Sequence, residues 1–340
     1  MTGCISLTML AGCASTAPKM SSAPTASVTA RGETVAVGTA NADAADDPAI
    51  WRNPANPAAS LIVGTDKKAG LHVYDMQGAD RSFLDAGAVN NVDLRDMGEK
   101  GIVVAVSDRN DLLASKLAMF TLDPTTATLK PMGKIASGAG EAYGVCLYRA
   151  PAALYAFMVL KDGTINQIEL DLSGASHTGR IVRTMKLATQ SEGCAVDERT
   201  GRLYVAEEDV GLWRFDAAPD GPVAPVRIAA ADGHQIVADA EGVAVVPEGD
   251  RGGYVVVSSQ GDNAYALYRL DDESYVGRFR IAAGTIGAVE ETDGIDIVAG
   301  DFGPGYPAGL MVAQDGINPP RAQNFKLVSW ADVKQALGLQ

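Results

Sequence analysis

Three aspartates crowd into five positions of the segment DAADDPAIW, residues 43 to 51. Neighbouring carboxylates repel one another and disfavour joint ionisation, so Asp43, Asp46 and Asp47 are costly to keep together unless a positive charge joins them. A hard cation would supply that charge, because carboxylate oxygens are the ligands that such ions prefer. The segment therefore indicates a metal-binding site.

Further oxygen-rich motifs follow along the chain, in settings of strand and turn. They are NNVD (90–93), SEGC (191–194), AEED (206–209), ADAEG (238–242), SSQGDN (258–263) and TDGID (292–296). Calcium takes roughly six to eight oxygen ligands in flexible geometry, including carbonyl and amide oxygens, whereas magnesium demands a strict octahedron. A single acidic turn on an acidic protein is usually just solvated, so the prediction of calcium depends on the number of these motifs.

Three basic residues, Lys67, Arg109 and Lys161, each lie near the end of a predicted strand. Together with Tyr143 they could hold the oxygens of a phosphate group while cations neutralise the remaining charge. On spacing alone, however, three unrelated solvated cations are the simpler interpretation.

Other catalytic classes lack their signatures. The three histidines, His72, His177 and His234, lie far apart and show no HExxH or Cys-His zinc spacing. The sequence also lacks a GxSxG elbow, an RHG motif and a cysteine followed by five residues and an arginine. Zinc enzymes and these nucleophile-dependent hydrolases are therefore disfavoured.

One strand pattern recurs and would position these motifs: an apolar and aromatic run that ends in aspartate. It appears as LHVYD, MFTLD, QIELD, LWRFD and LYRLD, ending at Asp75, Asp123, Asp171, Asp216 and Asp271. These ends are 48, 48, 45 and 55 residues apart, which fits one four-stranded propeller blade per repeat. The aspartates themselves are typical of turns, where they bond the backbone two residues on.

A sixth strand of this kind, FKLVSW at 325–330, completes the count. We therefore predict an all-β fold, a six-bladed β-propeller with four-stranded blades around a central channel, and one helix in the terminal ADVKQALG. Corresponding turns of all blades converge on one end of such a channel, so the oxygen-rich motifs can face one another there.

Charge narrows the possible partners. The 340 residues include 28 Lys and Arg against 42 Asp and Glu, a net charge of -14, and no basic run suggests a nucleic-acid partner. The same field would repel an anionic substrate, so an enzyme acting on phosphates would need bound metal ions to reverse the local sign. A monomer is the simplest expectation for such a propeller.

The N-terminus predicts export. Residues 1–13 form a short apolar signal in which Leu10-Ala11-Gly12-Cys13 resembles the bacterial lipobox, whose cysteine is lipidated; a chance match in an ordinary secretory signal is the alternative. Residues 14–32 are predicted to be a flexible tether and 33–340 the propeller domain. We thus expect an outer-membrane lipoprotein or a periplasmic or secreted protein.

Two cysteines, Cys146 and Cys194, would remain in the folded part. They could form one bridge in an oxidising compartment, but buried unpaired thiols are equally ordinary, so their pairing stays open.

At DAADDPAIW and NNVDLR (90–95) the chain resembles the β-propeller phytases, calcium-dependent phosphatases of inositol hexakisphosphate, for which these two motifs are the signature pair. The resemblance extends over residues 34–330, through TDKKAGLHVYD, SEGCAVDERTGRLYVAEEDVGLWRF, ADAEGV, SSQGDNAYALYR, ETDGIDI, GLMVAQDG and QNFKLVSW. It implies several calcium ions at the top of a six-bladed propeller and hydrolysis of phytate to lower inositol phosphates by a calcium-activated water.

The resemblance also implies roles for individual residues. The positions that match calcium sites are Asp46, Asp47, Asn90, Val92 (through its carbonyl), Glu192, Glu208, Glu241, Gln260 and Asp293, with Asp43, Asn91 and Asp239 as neighbours in the same shell. The positions that match phosphate-binding residues are Lys67, Arg109, Tyr143 and Lys161. Asp162 stands where relatives often have glutamate, so its role as a ligand stays open.

Two other functions remain possible at this stage. One is a calcium-stabilised propeller without catalysis that acts as a surface binding module, and the other is a propeller hydrolase of another kind, such as a lactonase. The presence of all four phosphate-binding side chains favours the phosphatase over both.

Overall fold

The computed structural model describes residues 20–40, 43–174 and 176–340, and these are almost entirely strands and turns. Before the first blade lie β1 (Thr25–Thr29) and β2 (Gly32–Glu33). The strands of blades 1 to 3 are β3 (Ala45–Trp51), β4 (Leu61–Asp66), β5 (Gly70–Asp75), β6 (Asp80–Asp85), β7 (Val89–Asp96), β8 (Ile102–Asp108), β9 (Ala114–Asp123), β10 (Thr128–Ala139), β11 (Ala142–Arg149), β12 (Leu154–Leu160), β13 (Thr164–Asp171) and β14 (Thr178–Lys186).

Blades 4 to 6, the second half of the ring, are built from strands in the same way. Its strands are β15 (Ser191–Asp197), β16 (Arg202–Glu207), β17 (Gly211–Asp216), β18 (Val226–Ala230), β19 (Ala240–Glu248), β20 (Gly252–Ser259), β21 (Ala264–Arg269), β22 (Tyr275–Ala282), β23 (Ile295–Ala299), β24 (Gly309–Asp315) and β25 (Asn324–Ser329). One α-helix, α1 (Trp330–Ala336), and three 3₁₀ turns, Pro57–Ala59, Gly98–Lys100 and Gln260–Asp262, complete the described structure.

Six sheets, antiparallel except for the edge strand β1 of blade 5, form a closed ring, which confirms the predicted six-bladed propeller. Five are consecutive four-stranded meanders, β3–β6, β7–β10, β11–β14, β15–β18 and β19–β22. The first strand of each blade contacts the first strand of the next, and β23 contacts β3, so the inner strands surround a central channel. The apolar core lies between adjacent blades: Val63 and Val73 of blade 1 pack with Val104 and Phe120 of blade 2.

The sixth blade is completed by the N-terminal part of the chain. Strand β2 pairs with β25, Gly32 opposite Leu327 and Glu33 opposite Lys326. The fully buried ammonium of Lys326 lies 2.6 Å from Glu33 and 3.1 Å from Asp315, so its charge is matched across this junction. Both ends of the described chain thus hold one blade together.

Part of the tether predicted over residues 14–32 is instead regular structure, since β1 and the start of β2 lie within that range; residues 14–19 lie outside the described residues. Strand β1 adds a fifth strand to blade 5 by pairing in parallel with β22, and Val28 packs into that blade's core opposite Ile281. The amino-acid composition of residues 25–29 could not predict this strand. An edge strand is held by backbone hydrogen bonds, which form largely independently of the side-chain types. The signal predicted for residues 1–13, Cys13 included, lies outside the described residues.

The recurring aspartates occupy equivalent places and act mainly as turn residues. Strands β5, β9, β13 and β17 end at them, and in each case the carboxylate accepts the N–H two residues on, as Asp75 does from Gln77 at 2.9 Å. In blade 5 the bond is shifted by one residue, because β21 ends at Arg269 and Asp272 bonds Ser274 at 2.9 Å.

Cys146 and Cys194 form a disulfide, with Cα atoms 5.8 Å apart. They lie on β11 and β15, so the bond joins the inner strands of blades 3 and 4. The structure thereby resolves the pairing that the sequence left open.

The terminal helix follows the prediction closely. Val333 is fully buried in the apolar cluster between blades 5 and 6, and Leu337 packs on the same cluster. At seven residues α1 is short, and the described part of the chain contains no helix that is both long and apolar enough to cross a membrane.

Candidate active site

A bulge interrupts the start of the inner strand in five blades and aims the side chains there into one rim of the channel. The register shifts lie between Ala45 and Pro48, Val89 and Val92, Ala142 and Gly144, Ser191 and Cys194, and Ala240 and Val243. A bulge leaves one residue unpaired and redirects its side chain. The residues in or beside these bulges include many of the predicted site residues: Asp46, Asp47, Asn90, Asn91, Tyr143, Glu192 and Glu241. In blade 6, Asp293 lies two residues ahead of β23.

Each blade brings a second residue to the same rim, namely the one that follows its second strand. In blades 1 to 5 its N–H donates to the carbonyl of the residue directly before the inner strand, and in blade 6 to that of Glu290, five residues before β23, with N···O distances between 2.6 and 3.1 Å. The six pairs are Lys67 to Ala44, Arg109 to Ala88, Lys161 to Glu141, Glu208 to Gln190, Gln260 to Asp239 and Gly316 to Glu290. Five of the predicted site residues therefore occupy one repeated backbone position, a relation that sequence analysis missed.

Glycine follows the bulged residue in blades 3, 4 and 5 and follows Asp293 in blade 6, because the backbone of the neighbouring blade lies directly against it. A Cβ at Gly144 would overlap the carbonyl oxygen of Glu192, and one at Gly242 would lie 2.6 Å from that of Asp293. The N–H of Gly242 also donates to the Asp293 carbonyl at 2.6 Å. The site rim is thus packed backbone against backbone from blade to blade.

We expect Gly144→Ala to destabilise the protein by about 1–3 kcal/mol, because the added methyl has no room without a backbone shift. Thermal unfolding measures this effect. Gly287→Ala is the control, since a Cβ at that position would meet no neighbouring atom within 4 Å. Equal melting temperatures for the two variants would contradict the tight contact.

Three carboxylates converge at the rim. Ligand oxygens of Glu192, Glu208 and Glu241 all lie within 4.8 Å of one another. Oε1 of Glu208 and Oε2 of Glu241 are buried and have no hydrogen-bond partner among the described residues. Buried carboxylate oxygens without partners are costly unless a cation binds them, and an all-oxygen donor set suits a hard divalent ion. The residues present therefore fit a metal ion of the calcium type.

Burial, followed by repulsion among the carboxylates, keeps these groups from ionising easily. Burial raises the pKa of Glu192 and Glu241 well above the ordinary range, and the charges of Asp46 and Glu192, respectively, add to it. The pKa of Glu208 is raised in the same way, and burial raises that of Asp293 to about 7 despite the nearby Lys67. A bound cation would reverse these shifts by favouring the charged forms.

We expect the metal-free protein to lose stability as the pH rises from about 4, where unfolded carboxyl groups titrate, to about 7, the raised pKa of Asp293. In that range the folded chain binds more protons than the unfolded chain, so the free energy of unfolding falls with increasing pH. Melting temperatures in chelator measure this decline, which a saturating divalent cation should abolish. A melting temperature that rises throughout the range in chelator would contradict the shifts.

Lys67 joins the carboxylates of blades 1 and 6. Its ammonium lies 2.6 Å from Asp43, 3.0 Å from Asp46 and 2.7 Å from Asp293. Burial alone would lower the pKa of Lys67, but attraction to Asp46 and Asp293 outweighs it and raises that pKa above its ordinary value. Lys67 thus offsets part of the negative charge that the aspartate segment concentrates.

Arg109 and Lys161 instead gather around Tyr143. The Arg109 guanidinium carbon and the Lys161 ammonium lie 5.4 and 5.0 Å from the centre of the Tyr143 ring, within range of a cation–π interaction. Gln190 donates to the Tyr143 hydroxyl at 3.2 Å. The predicted phosphate-binding residues therefore form a cluster of three, with Lys67 among the carboxylates.

Asparagine and glutamine side chains contact the carboxylates of the site, and one of them connects a carboxylate to Arg109. Asn90 accepts from Arg109 at 2.6 Å and donates to Glu192 at 2.7 Å. Gln260 donates to Asp293 at 2.6 Å. These amides hold the carboxylates and the cations at fixed separations.

The other predicted ligands have mixed surroundings. Asp47 accepts the N–H of Val92 at 3.0 Å, and burial raises the pKa of its carboxyl group. Asn91 lies buried beside Asn90, and burial also raises the pKa of Asp239. Asp162 is exposed and pairs with Lys186 at 2.9 Å.

Sequence analysis missed Glu141, whose Oε1 accepts a hydrogen bond from Arg109. The only signal in the sequence was its place two residues before Tyr143.

Together, the six-bladed propeller, the buried carboxylate cluster and the cations beside it fit the class of propeller enzymes whose channel rim can hold a divalent metal ion next to an anionic substrate. The sequence profile of the phytase family matches residues 1–340. The 3-phytase of Bacillus subtilis (strain 168) is 39% identical over 328 residues, which cover 92% of this chain and 85% of that protein.

The chain therefore belongs to the phytase family and is a 3-phytase-type phosphatase, an enzyme that hydrolyses phytate. Among solved structures, a chain of a mitotic checkpoint complex superposes with a TM-score of 0.52 and 12% identity, covering 98% of this chain and 86% of that one. At that identity the likeness concerns the fold alone.

Proposed function

We propose that phytate hydrolysis by this chain depends on several calcium ions held at the rim of the channel. The ligands would be Asp43, Asp46, Asp47, Asn90, Asn91, Val92, Glu192, Glu208, Asp239, Glu241, Gln260 and Asp293. The observation that carries the proposal is the convergence of Glu192, Glu208 and Glu241, in which one buried oxygen each of Glu208 and Glu241 has no hydrogen-bond partner among the described residues. When bound there, calcium neutralises phosphate charge and acidifies a water molecule.

The chain's own cations would bind and orient the phosphate group. The guanidinium of Arg109 and the ammonium of Lys161 supply directed donors for charge that spreads over the phosphate oxygens in the transition state. Burial raises the pKa of Tyr143, so its hydroxyl stays protonated and able to donate at neutral pH. Lys67 stays charged among the aspartates and supplies further positive potential at the rim.

The test is phosphate release from phytate by the purified protein, with calcium titrated from chelated to millimolar and with magnesium and zinc as comparisons. We expect activity to appear with calcium and to vanish with chelator. Equal activity with magnesium alone would overturn the ion identity. A calcium-dependent rise in melting temperature without any phosphate release would favour the alternative, a propeller that acts only as a binding module.

We propose further that the protein is exported, either anchored through a lipidated Cys13 or free in the periplasm or medium, and that it is a monomer. The disulfide between Cys146 and Cys194 supports export, because such bonds persist mainly in oxidising compartments. The net charge of -14 supports a monomer through mutual repulsion. Mass spectrometry of the mature N-terminus and light scattering test the two statements; an unprocessed N-terminus would contradict export.

A further inference from the structure

Glu141 has a side chain that the backbone architecture does not require. Its carbonyl accepts the Lys161 N–H at 3.1 Å, which is the bond that this position makes in each of blades 1 to 5. In blades 1 and 2 the same position is filled by Ala44 and Ala88. The fold therefore needs only the backbone here, and the carboxylate requires a separate explanation.

One oxygen of that carboxylate faces both cations of the site. Oε1 of Glu141 accepts a hydrogen bond from Nη2 of Arg109 and lies 4.0 Å from the ammonium of Lys161. The two cations would otherwise repel each other, and Lys161, whose side chain is 39% exposed, is free to move into solvent. Glu141 thus keeps the two cations together over the ring of Tyr143.

A single anionic oxygen shared by a guanidinium and an ammonium is also the arrangement in which a phosphate oxygen would be bound. The carboxylate therefore acts on phosphate in two opposite ways. It orients the donors before phosphate arrives, and its negative charge repels phosphate once it is bound.

We propose that Glu141 is a positioning residue that holds Arg109 and Lys161 in place between turnovers and weakens the retention of inorganic phosphate. The inference rests on the proposed phosphate-binding role of those two cations. It predicts that removing only the charge of Glu141 tightens phosphate binding, whereas removing charge and hydrogen-bond acceptor together does not.

The test compares Glu141→Gln, which keeps an oxygen acceptor for Arg109, with Glu141→Leu, which does not. In the calcium-loaded full chain, we expect Glu141→Gln to bind inorganic phosphate about tenfold more tightly than the unchanged protein, because one nearby like charge is removed. The inhibition constant of phosphate and calorimetric titration both measure this affinity. The KM for phytate should fall in parallel. Glu141→Leu should bind phosphate no more tightly than the unchanged protein and should have a lower kcat.

Two further variants separate this inference from the site assignment. Glu169→Gln is the matched control, because Glu169 pairs with Arg180 at 2.6 Å on the exposed part of the same blade, and it should leave phosphate binding unchanged. Lys161→Met should weaken phosphate binding, and no effect there would overturn the phosphate site itself. If Lys161→Met weakens binding while Glu141→Gln leaves it unchanged or only lowers the melting temperature, the role of Glu141 is wrong.

Discussion

Glu241→Gln is expected to abolish metal-dependent phosphate release and, at the same time, to stabilise the metal-free protein. The Oε2 atom of Glu241 is buried without a hydrogen-bond partner among the described residues, and the carboxylate lies against those of Glu192 and Glu208. Glutamine keeps the size of the side chain and removes its charge. Without metal, burial and the neighbouring carboxylates raise the pKa of Glu241, so holding this carboxyl group in the folded protein costs free energy at neutral pH; glutamine removes that cost and should raise the free energy of unfolding by on the order of 1–2 kcal/mol.

With metal, the same change removes a charged ligand, so turnover should fall by at least about a hundredfold, as expected when a centre of charge stabilisation is lost. Melting temperatures with chelator and with calcium, measured beside phosphate release, separate the two effects. Glu248→Gln is the matched control, because Glu248 ends the same strand and pairs with Lys334 at 3.0 Å. Retained activity, or a metal-free variant of lower stability, would contradict the ligand role.

Lys161→Met is expected to lower kcat/KM for phytate by roughly a hundredfold while the calcium-induced rise in melting temperature is retained. The ammonium of Lys161 contacts the Tyr143 ring and lies 4.0 Å from Glu141, so its removal breaks no short ion pair. Loss of one donor aimed at developing phosphate charge typically costs about 10²–10³ in rate.

Kinetics with phytate and thermal unfolding with and without calcium test this expectation. Lys186→Met removes a charge of the same kind from the same blade, where it pairs with the exposed Asp162 at 2.9 Å. The assignment of Lys161 fails if the two variants have equal kinetics, or if Lys161→Met abolishes the effect of calcium on the melting temperature.

The regular part of the fold could be predicted because each blade repeats one local pattern. An apolar strand that ends in an Asx-type turn identifies the third strand of a blade, as at Asp75 and Asp171, and both features depend only on neighbouring residues. The ring followed from counting these repeats.

The N-terminal strands could not be predicted in the same way. Strand β2 has two residues, and its partners Leu327 and Lys326 lie almost at the other end of the sequence. Strand β1 consists mainly of small residues; Val28 is buried in the core, and Ala26 packs against it partly exposed. Their structure is set by distant edges that are already formed, which local composition does not encode.

For the candidate site, the sequence indicated residue types but not their grouping. The motifs selected Glu192, Glu208 and Glu241, which the structure brings together. They did not indicate that Lys67 would lie among aspartates, away from Arg109 and Lys161. That arrangement depends on the bulges and on the contacts between blades, which no single motif contains. The catalytic and ligand roles stay predictions for the variants described above.

The pairing of β2 with β25 determines when the ring can close during synthesis of the chain. Strand β25 leaves the ribosome after all the other strands of the ring, and until it does, Glu33 has no Lys326 to pair with and the ring stays open. Loss of β25 would remove the buried ammonium of Lys326 and leave Glu33 and Asp315 without their counter-charge. We therefore expect C-terminal truncations that remove β25 to prevent folding altogether rather than to lower stability gradually, because five complete blades still leave the ring open.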